Sequence, residues 1–180
     1  MKLEYNFLPS RGILDAVESE KRIKTWAPRL KSQCMLRSSE ASRGVMIVGI
    51  DPEREKKLTR LYDYMIKEDG GEYLADPEDN GILISKSMAK RLDLLVGDRL
   101  VLLVQDRDTE IVGAGMTVRG LFETPVDSFD RFIVFTGIGT LQKLTGLGES
   151  VSEINCILFD KEAVDGVKQE LIEKIGRAHV

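Results

Sequence analysis

Histidine is almost missing from this chain: there is one, His179, in 180 residues. Catalysis by a Ser-His-Asp or Cys-His arrangement needs a base beside the nucleophile, so both are close to excluded. Cysteine is scarce too, with Cys34 and Cys156 as the only two. They are far apart and single, which does not match the paired Cys/His spacing of a zinc site. We expect two buried free thiols, with a disulfide as the alternative in an oxidising compartment. Long hydrophobic runs are absent: the longest, Leu100–Val104, is far short of the roughly 20 apolar residues of a membrane helix. The opening MKLEYNFLPS has no apolar core and no cleavage site, and reads as no secretory signal. No dense Lys/Arg block interrupts a net charge of -4, so a nucleic-acid footprint is not expected. KRIK at 21–24 follows Glu18 and Glu20 and reads as a solvated helix face.

The last residues, IGRAHV, are what the bases ATCGGAAGAGCACACGTC encode, a string similar to the start of a common sequencing adapter. We expect Ile175–Val180 to be a non-native tail, in which case His179 does not belong to the protein.

What is present is a composition 42% hydrophobic and 31% charged, which suits a globular chain with its own core. Residues 13–24 show a loose helical pattern through Ile13, Leu14 and Val17. Ala27-Pro28-Arg29 should end it, because proline disfavours helix in the residue before it. A strand follows at LKSQCMLRS, a polar turn at 38–43 and a buried strand at Val45–Ile50. Asp51-Pro52-Glu53 is a helix start: the carboxylate can accept orphan amide hydrogens, proline presets φ, and Glu53 suits the positive end of the dipole. Leu58, Leu61 and Tyr62 are expected as that helix's apolar stripe.

Further on, Ile82–Ile84 reads as a strand and Ser85 as the cap of a helix with Met88 and Leu92 inside. Val96-Gly97-Asp98 reads as a tight hairpin turn into Leu100–Val104. QDRDTE is a polar hairpin tip, followed by strands at Met116–Phe122 and Phe132–Phe135. Thr140–Leu144 is a short helix stopped by Gly146 and Gly148. Ile154–Phe159 is a strand, and Asp160 caps a last helix with Val164, Val167, Leu171 and Ile172 on one face. The fold class is α+β. The order of elements suggests a split outer subdomain, 1–50 plus 151–174, with an inserted strand-rich subdomain at 51–150.

Candidate chemistry is thin. Ser85-Lys86-Ser87 could form a Ser-Lys pair, but a helix cap with exposed neighbours is the simpler reading. DPEDNG at 76–81 matches half of a calcium loop through Asp76, Glu78, Asn80 and Gly81, yet position 12 is Ser87 where a glutamate is needed. It reads as a polar turn. Gly137-Ile138-Gly139 fails the dinucleotide pattern at Gln142, and no P-loop occurs. Asp106 and Asp108 read as solvent-facing charge. Phe129, Phe132, Phe135 and Trp26 stay open between core packing and contact with a partner or lipid. We therefore assign no catalytic, cofactor or metal residue, and no cofactor.

The ordered set APR (27–29), GVMIVGIDPERE (44–55), GEYL (71–74), NGILISKSMAKRLDLLVGDRLVLL (80–103), VRGLFET (118–124) and FTGIGTLQKLTGLGESVSEI (135–154) resembles one family. This is the extracytoplasmic core domain of ABC-transporter permeases of the lipoprotein-releasing and macrolide-exporter (MacB-like, FtsX-like) type. The resemblance runs from about residue 27 to 174, agrees with the subdomain split and implies a βαβ-type build of the outer subdomain. It implies a non-enzymatic domain on the periplasmic side of the inner membrane, lying between two membrane helices. The permease would work with an ABC ATPase subunit, a second permease subunit, and a lipoprotein or other periplasmic partner. Carrier-binding loops of the family cannot be placed here, so no binding residue is carried over. Two alternatives are a free-standing binding or adhesion module, and a small swapped-hairpin barrel that binds DNA, since L-x-V-G-D-x-L is also a common barrel turn; the acidic balance argues against the latter. Resequencing the locus past Lys174 should reveal coding sequence other than IGRAHV; a native codon run through those residues would refute the adapter origin.

Overall fold

A computed structural model describes residues 7–9, 11–68 and 71–177. In chain order the elements are α1 (Arg11–Ser19), β1 (Ile23–Arg37), β2 (Ser42–Ile50), α2 (Pro52–Leu58) and a 3-10 turn at Leu61–Tyr64. Then come β3 (Gly81–Ser85), α3 (Lys86–Leu92), β4 (Arg99–Gln105), β5 (Ile111–Phe122), α4 (Asp127–Phe132) and β6 (Ile133–Gly137). The chain continues through α5 (Ile138–Thr145), β7 (Glu153–Leu158), a 3-10 turn at Lys161–Ala163 and α6 (Val164–Arg177).

The fold is α+β, built on one mixed sheet of seven strands in the order β2-β6-β3-β5-β4-β1-β7. Because β1 also pairs with β2, the sheet closes on itself. Hydrogen bonding runs β1-β2-β6-β3-β5-β4 and back to β1, a six-stranded ring. β2–β6 and β3–β5 are parallel; the other pairs are antiparallel. The 15 residues of β1 serve three neighbours: β7 over Ile23–Arg29, β2 over Arg29–Arg37 and β4 over Cys34–Arg37. The segments 1–50 and 151–174 meet through β1–β7, through antiparallel bonds between Phe7 and Val151, and through packing of α1 on α6. They also share the sheet with 51–150 through β1–β4 and β2–β6.

Period-two alternation sorts the side chains into two cores. On β2, Val45 and Ile47 join a large cluster with Leu102, Val118 and Val134. Met46, Val48 and Ile50 join a second cluster with Leu61, Leu74, Phe122 and Phe135. β3 contributes to both, Ile82 and Ile84 to one and Leu83 to the other, so every residue of GILIS is buried.

Several expectations are met by the geometry. Asp51 caps α2 by accepting from the amides of Glu53 and Arg54, with Pro52 in the first turn. The hydroxyl of Ser85 accepts from the Met88 amide, and Met88 and Leu92 are fully buried. Gly146 closes α5 in the left-handed region at φ 65°.

Others are corrected. Helix α1 stops at Ser19, and the segment expected to carry it through KRIK turns at 21–22 into β1. Pro28 lies inside that strand, tolerated where β1 has a single neighbour, β7, and needs no second row of amide hydrogens. The buried face of α2 is Pro52 and Glu55; Leu61 and Tyr62 belong to the following turn, and Tyr62 is exposed. Val96-Gly97-Asp98 follows a helix and is no strand-to-strand hairpin. Gly97, at φ 91°, lets its amide reach the Val118 carbonyl at 2.8 Å. Phe132, expected to begin a strand, is the last residue of helix α4, and the strand starts at Ile133. On α6 Val167 is deeply buried, whereas Val164 and Ile172 are exposed.

The loop 75–81 is held close to α5. The buried carboxylate of Asp79 accepts from the amides of Ala75 and Gly81 and from Arg119. Burial alone would raise its pKa, but these donors hold it below the usual carboxylate range. The amides of Gly137 and Gly139 donate to the carbonyls of Asp79 and Pro77. A Cβ on Gly137 would lie 2.4 Å from the Pro77 oxygen. Gly137→Ala should therefore cost about 2 kcal/mol through overpacking, read as a lower urea midpoint. Gly44→Ala, with nothing within 4 Å of the added carbon, should cost nothing.

Candidate functional site

Arg29 sits where β1 exchanges β7 for β2, in register with both Glu153 and Ile50. Its side chain crosses to α2 and meets Glu55 as a fork. Nε is 3.1 Å from Oε2 and Nη2 is 2.5 Å from Oε1. Glu55 is 1% exposed and also accepts from the Thr59 hydroxyl at 2.8 Å. On the β7 side, Arg29 Nη1 lies 3.6 Å from Glu153, which accepts from Lys31 at 2.6 Å and from Asn155 at 2.9 Å. Burial works to lower the Arg29 pKa, but hydrogen bonds and charge from Glu55 and Glu153 outweigh it and raise it above the ordinary value. Burial likewise works to raise Glu153, and Lys31, Asn155 and Arg29 hold it below the usual range. This network ties β1, α2 and β7 together. Next to Glu55 on α2, the Arg54 guanidinium covers the half-buried ring of Trp26 at 4.0 Å.

Beside the network lies a groove of about 510 Å³. Val48, Leu61, Tyr64, Val126, Phe129, Ile133 and Phe135 supply its apolar walls, and Arg29, Lys31, Glu55, Thr59 and Arg60 its polar margin. The wall is stiffened by edge-on packing of Phe122 against Phe129 and Phe135, with centroids 6.3 and 5.6 Å apart. Asp130 holds α4 over it by accepting from the amide and hydroxyl of Thr124. Such a surface can bury an apolar group; its charged members are already paired, Arg29 with Glu55, Lys31 with Glu153 and Arg60 with Asp63.

The residues considered for chemistry are dispersed. Ser85 is committed to the Met88 amide and the Asp130 carbonyl, while Lys86 is exposed. In the 76–81 loop, Asp76 accepts from the Glu78 amide, Glu78 pairs with Lys143, and Asp79 binds amides, so the carboxylates point to separate partners. Gly137 and Gly139 serve close packing, their amides already taken by loop carbonyls. Asp106 accepts from the amides of Asp108 and Glu110 at the exposed tip. Among the described residues no group of three His, Cys, Asp or Glu is placed to hold a metal, and no helix is long and apolar enough to cross a membrane.

Cys34 is buried, and burial pushes its thiol up to about 12. Cys156 is exposed, which corrects the expectation of two buried thiols. Cys156 faces Trp26 in register, roughly 25 Å along β1 from Cys34, so they are free and far beyond disulfide reach. Of the three open phenylalanines, Phe135 and Phe129 belong to the core and Phe132 is exposed. His179 lies outside the described residues.

Residue-by-residue inspection for catalytic types missed the Arg29–Glu55 pair. Its sequence signal is that APR and DPERE, both within the set that resembles the family, end in the two residues that meet here.

A family model described as the MacB-like periplasmic core domain matches residues 6–174. The lipoprotein-releasing system transmembrane protein LolC of Xylella fastidiosa (strain Temecula1 / ATCC 700964) is 26% identical over 163 residues, 88% of this chain. The chain spans only 38% of that relative's length. The extracellular domain of the noncanonic ABC-type transporter YknZ from Gram-positive bacteria shares the fold at TM-score 0.70 and 12% identity, over 98% of this chain and 86% of that one. The periplasmic region of MacB from Actinobacillus actinomycetemcomitans does so at TM-score 0.63 and 13% identity, over 92% and 73% respectively.

Glu55→Ala should destabilise the chain by about 3 kcal/mol, because it strands the Arg29 charge. Replacing both residues by apolar ones should cost less than the single change. Urea unfolding of the single and double variants checks this; equal or additive losses would contradict it.

Proposed function

The chain belongs to the family of MacB-like periplasmic core domains, and from that premise we propose that it couples motion driven by a partner ATPase to export or lipoprotein release. The coarser statement is plain: this is the extracytoplasmic domain of an ABC-transporter permease. The observation that carries the finer reading is the network at Arg29, which joins a closed ring to the layer of β7, α1 and α6. A closed ring joined along β1 to the layer formed by both ends of the domain suits rigid-body transmission.

In this reading ATP is hydrolysed by a separate ABC ATPase subunit, and the domain carries no reaction. A second permease subunit completes the transporter at the inner membrane. In this reading residues 1–50 with 151–174 are the outer unit and 51–150 its insert, and because β1 and β2 share the ring with β3–β6 the two units move together. A lipoprotein or other periplasmic partner is met on the periplasmic side.

The closed ring lends architectural support to a barrel module as the second reading, but a net charge of -4 opposes binding to DNA. A free-standing adhesion module would need no membrane segments around it.

The flanking DNA should encode about four membrane helices in total and, nearby, a P-loop ATPase; their absence would favour the free-standing module. The purified chain should hydrolyse neither ATP nor ester or peptide substrates. Turnover that survives repurification would overturn the non-enzymatic reading.

A further inference from the structure

A second surface lies at the end of β1 remote from β7. The outward residues of β1 and β4 stand side by side in register, Met35 beside Leu103 and Arg37 beside Val101. The next lane, on β5, is bare: Gly113 lies opposite Leu103 and Gly115 opposite Val101. With no side chains there, Arg99 lies down over the strand, its Nη2 3.1 Å from where a Cβ on Gly115 would be. The result is a cleft of about 410 Å³ in which Arg37, Arg99, Ser38 and Ser39 surround Val101 and Leu103. Val101 is 42% exposed and Met35 46%.

Both guanidinium groups are available. Among the described residues, neither Arg37 nor Arg99 takes part in an ion pair. Asp98, next to Arg99, is turned to the Leu95 amide. Glu40 stands exposed on the adjoining turn. An otherwise acidic chain thus holds unpaired arginines around an apolar recess.

We propose that this cleft docks an acidic segment of a soluble protein partner. A carboxylate would sit between Arg37 and Arg99, and a neighbouring apolar side chain would lie on Val101 and Leu103. The guanidinium fork matches a carboxylate's two oxygens, and the concave floor accepts a protruding side chain where a flat lipid surface would leave it empty. The proposal rests on the reading of this domain as one that meets a partner outside the cytoplasm.

The test uses the 180-residue chain and a fluorescent peptide of interspersed glutamate and leucine, followed by anisotropy. Binding should weaken as salt rises and fall by about tenfold or more in Arg37→Glu/Arg99→Glu. Lys168→Glu, exposed on α6, should leave it unchanged. Melting curves should show that the double variant remains folded, since both arginines are at the surface. No binding, equal binding of a glutamine-leucine peptide, or preference for phosphatidylglycerol vesicles over the peptide would each overturn the proposal. None of these outcomes bears on the transporter reading, which the flanking DNA decides separately.

Discussion

Closure of the strand ring through β1 is the constraint on which the rest of the structure depends. A sheet edge exposes unpaired amides and carbonyls, and here β1 removes that problem for its second half by pairing with β2 on one side and β4 on the other. Closure forces one face of every ring strand inward, which is why the larger core is almost wholly aliphatic. The same closure leaves the first half of β1 protruding, to be taken up by β7. Arg29 stands where one arrangement gives way to the other, and its bonds to Glu55 and Glu153 hold the junction.

Buried charge is used sparingly, at positions where elements must keep a fixed distance. Glu55 and Asp79 are both carboxylates taken out of water, and each is repaid by several donors. Glu55 receives an arginine fork and a hydroxyl; Asp79 receives two amides and Arg119. One fixes α2 on β1, and the other shapes the 75–81 loop, ties it to Arg119 of β5 and so presents its carbonyls to β6 and α5. Glycines at 137 and 139 complete the second contact by letting the loop carbonyls reach the helix amides. A glycine pair that superficially suggests phosphate binding is thereby spent on internal packing.

The surfaces left over differ in character. The groove beside Arg29 is apolar with its charges already matched. The cleft at Arg37 and Arg99 is cationic with its charges open. A domain that transmitted motion and met partners, as proposed above, would have use for both.

Local features were legible from the sequence because their causes are local. Asp51-Pro52, Ser85 and Gly146 cap helices through side chains and backbone angles set within a few residues. Alternation in Val45–Ile50 marks a strand with two buried faces, and the ordered motif pieces identify the family. The sequence also determined what the chain lacks: apart from His179 it has no histidine to act as a base. Only the tertiary structure decided that β1 runs unbroken through Pro28, that six strands close a ring, and that Glu55 turns inward to Arg29. Those outcomes depend on which distant strand supplies the neighbouring backbone and which distant side chain supplies the opposite charge. Such pairings are non-local, so no window along the chain contains them.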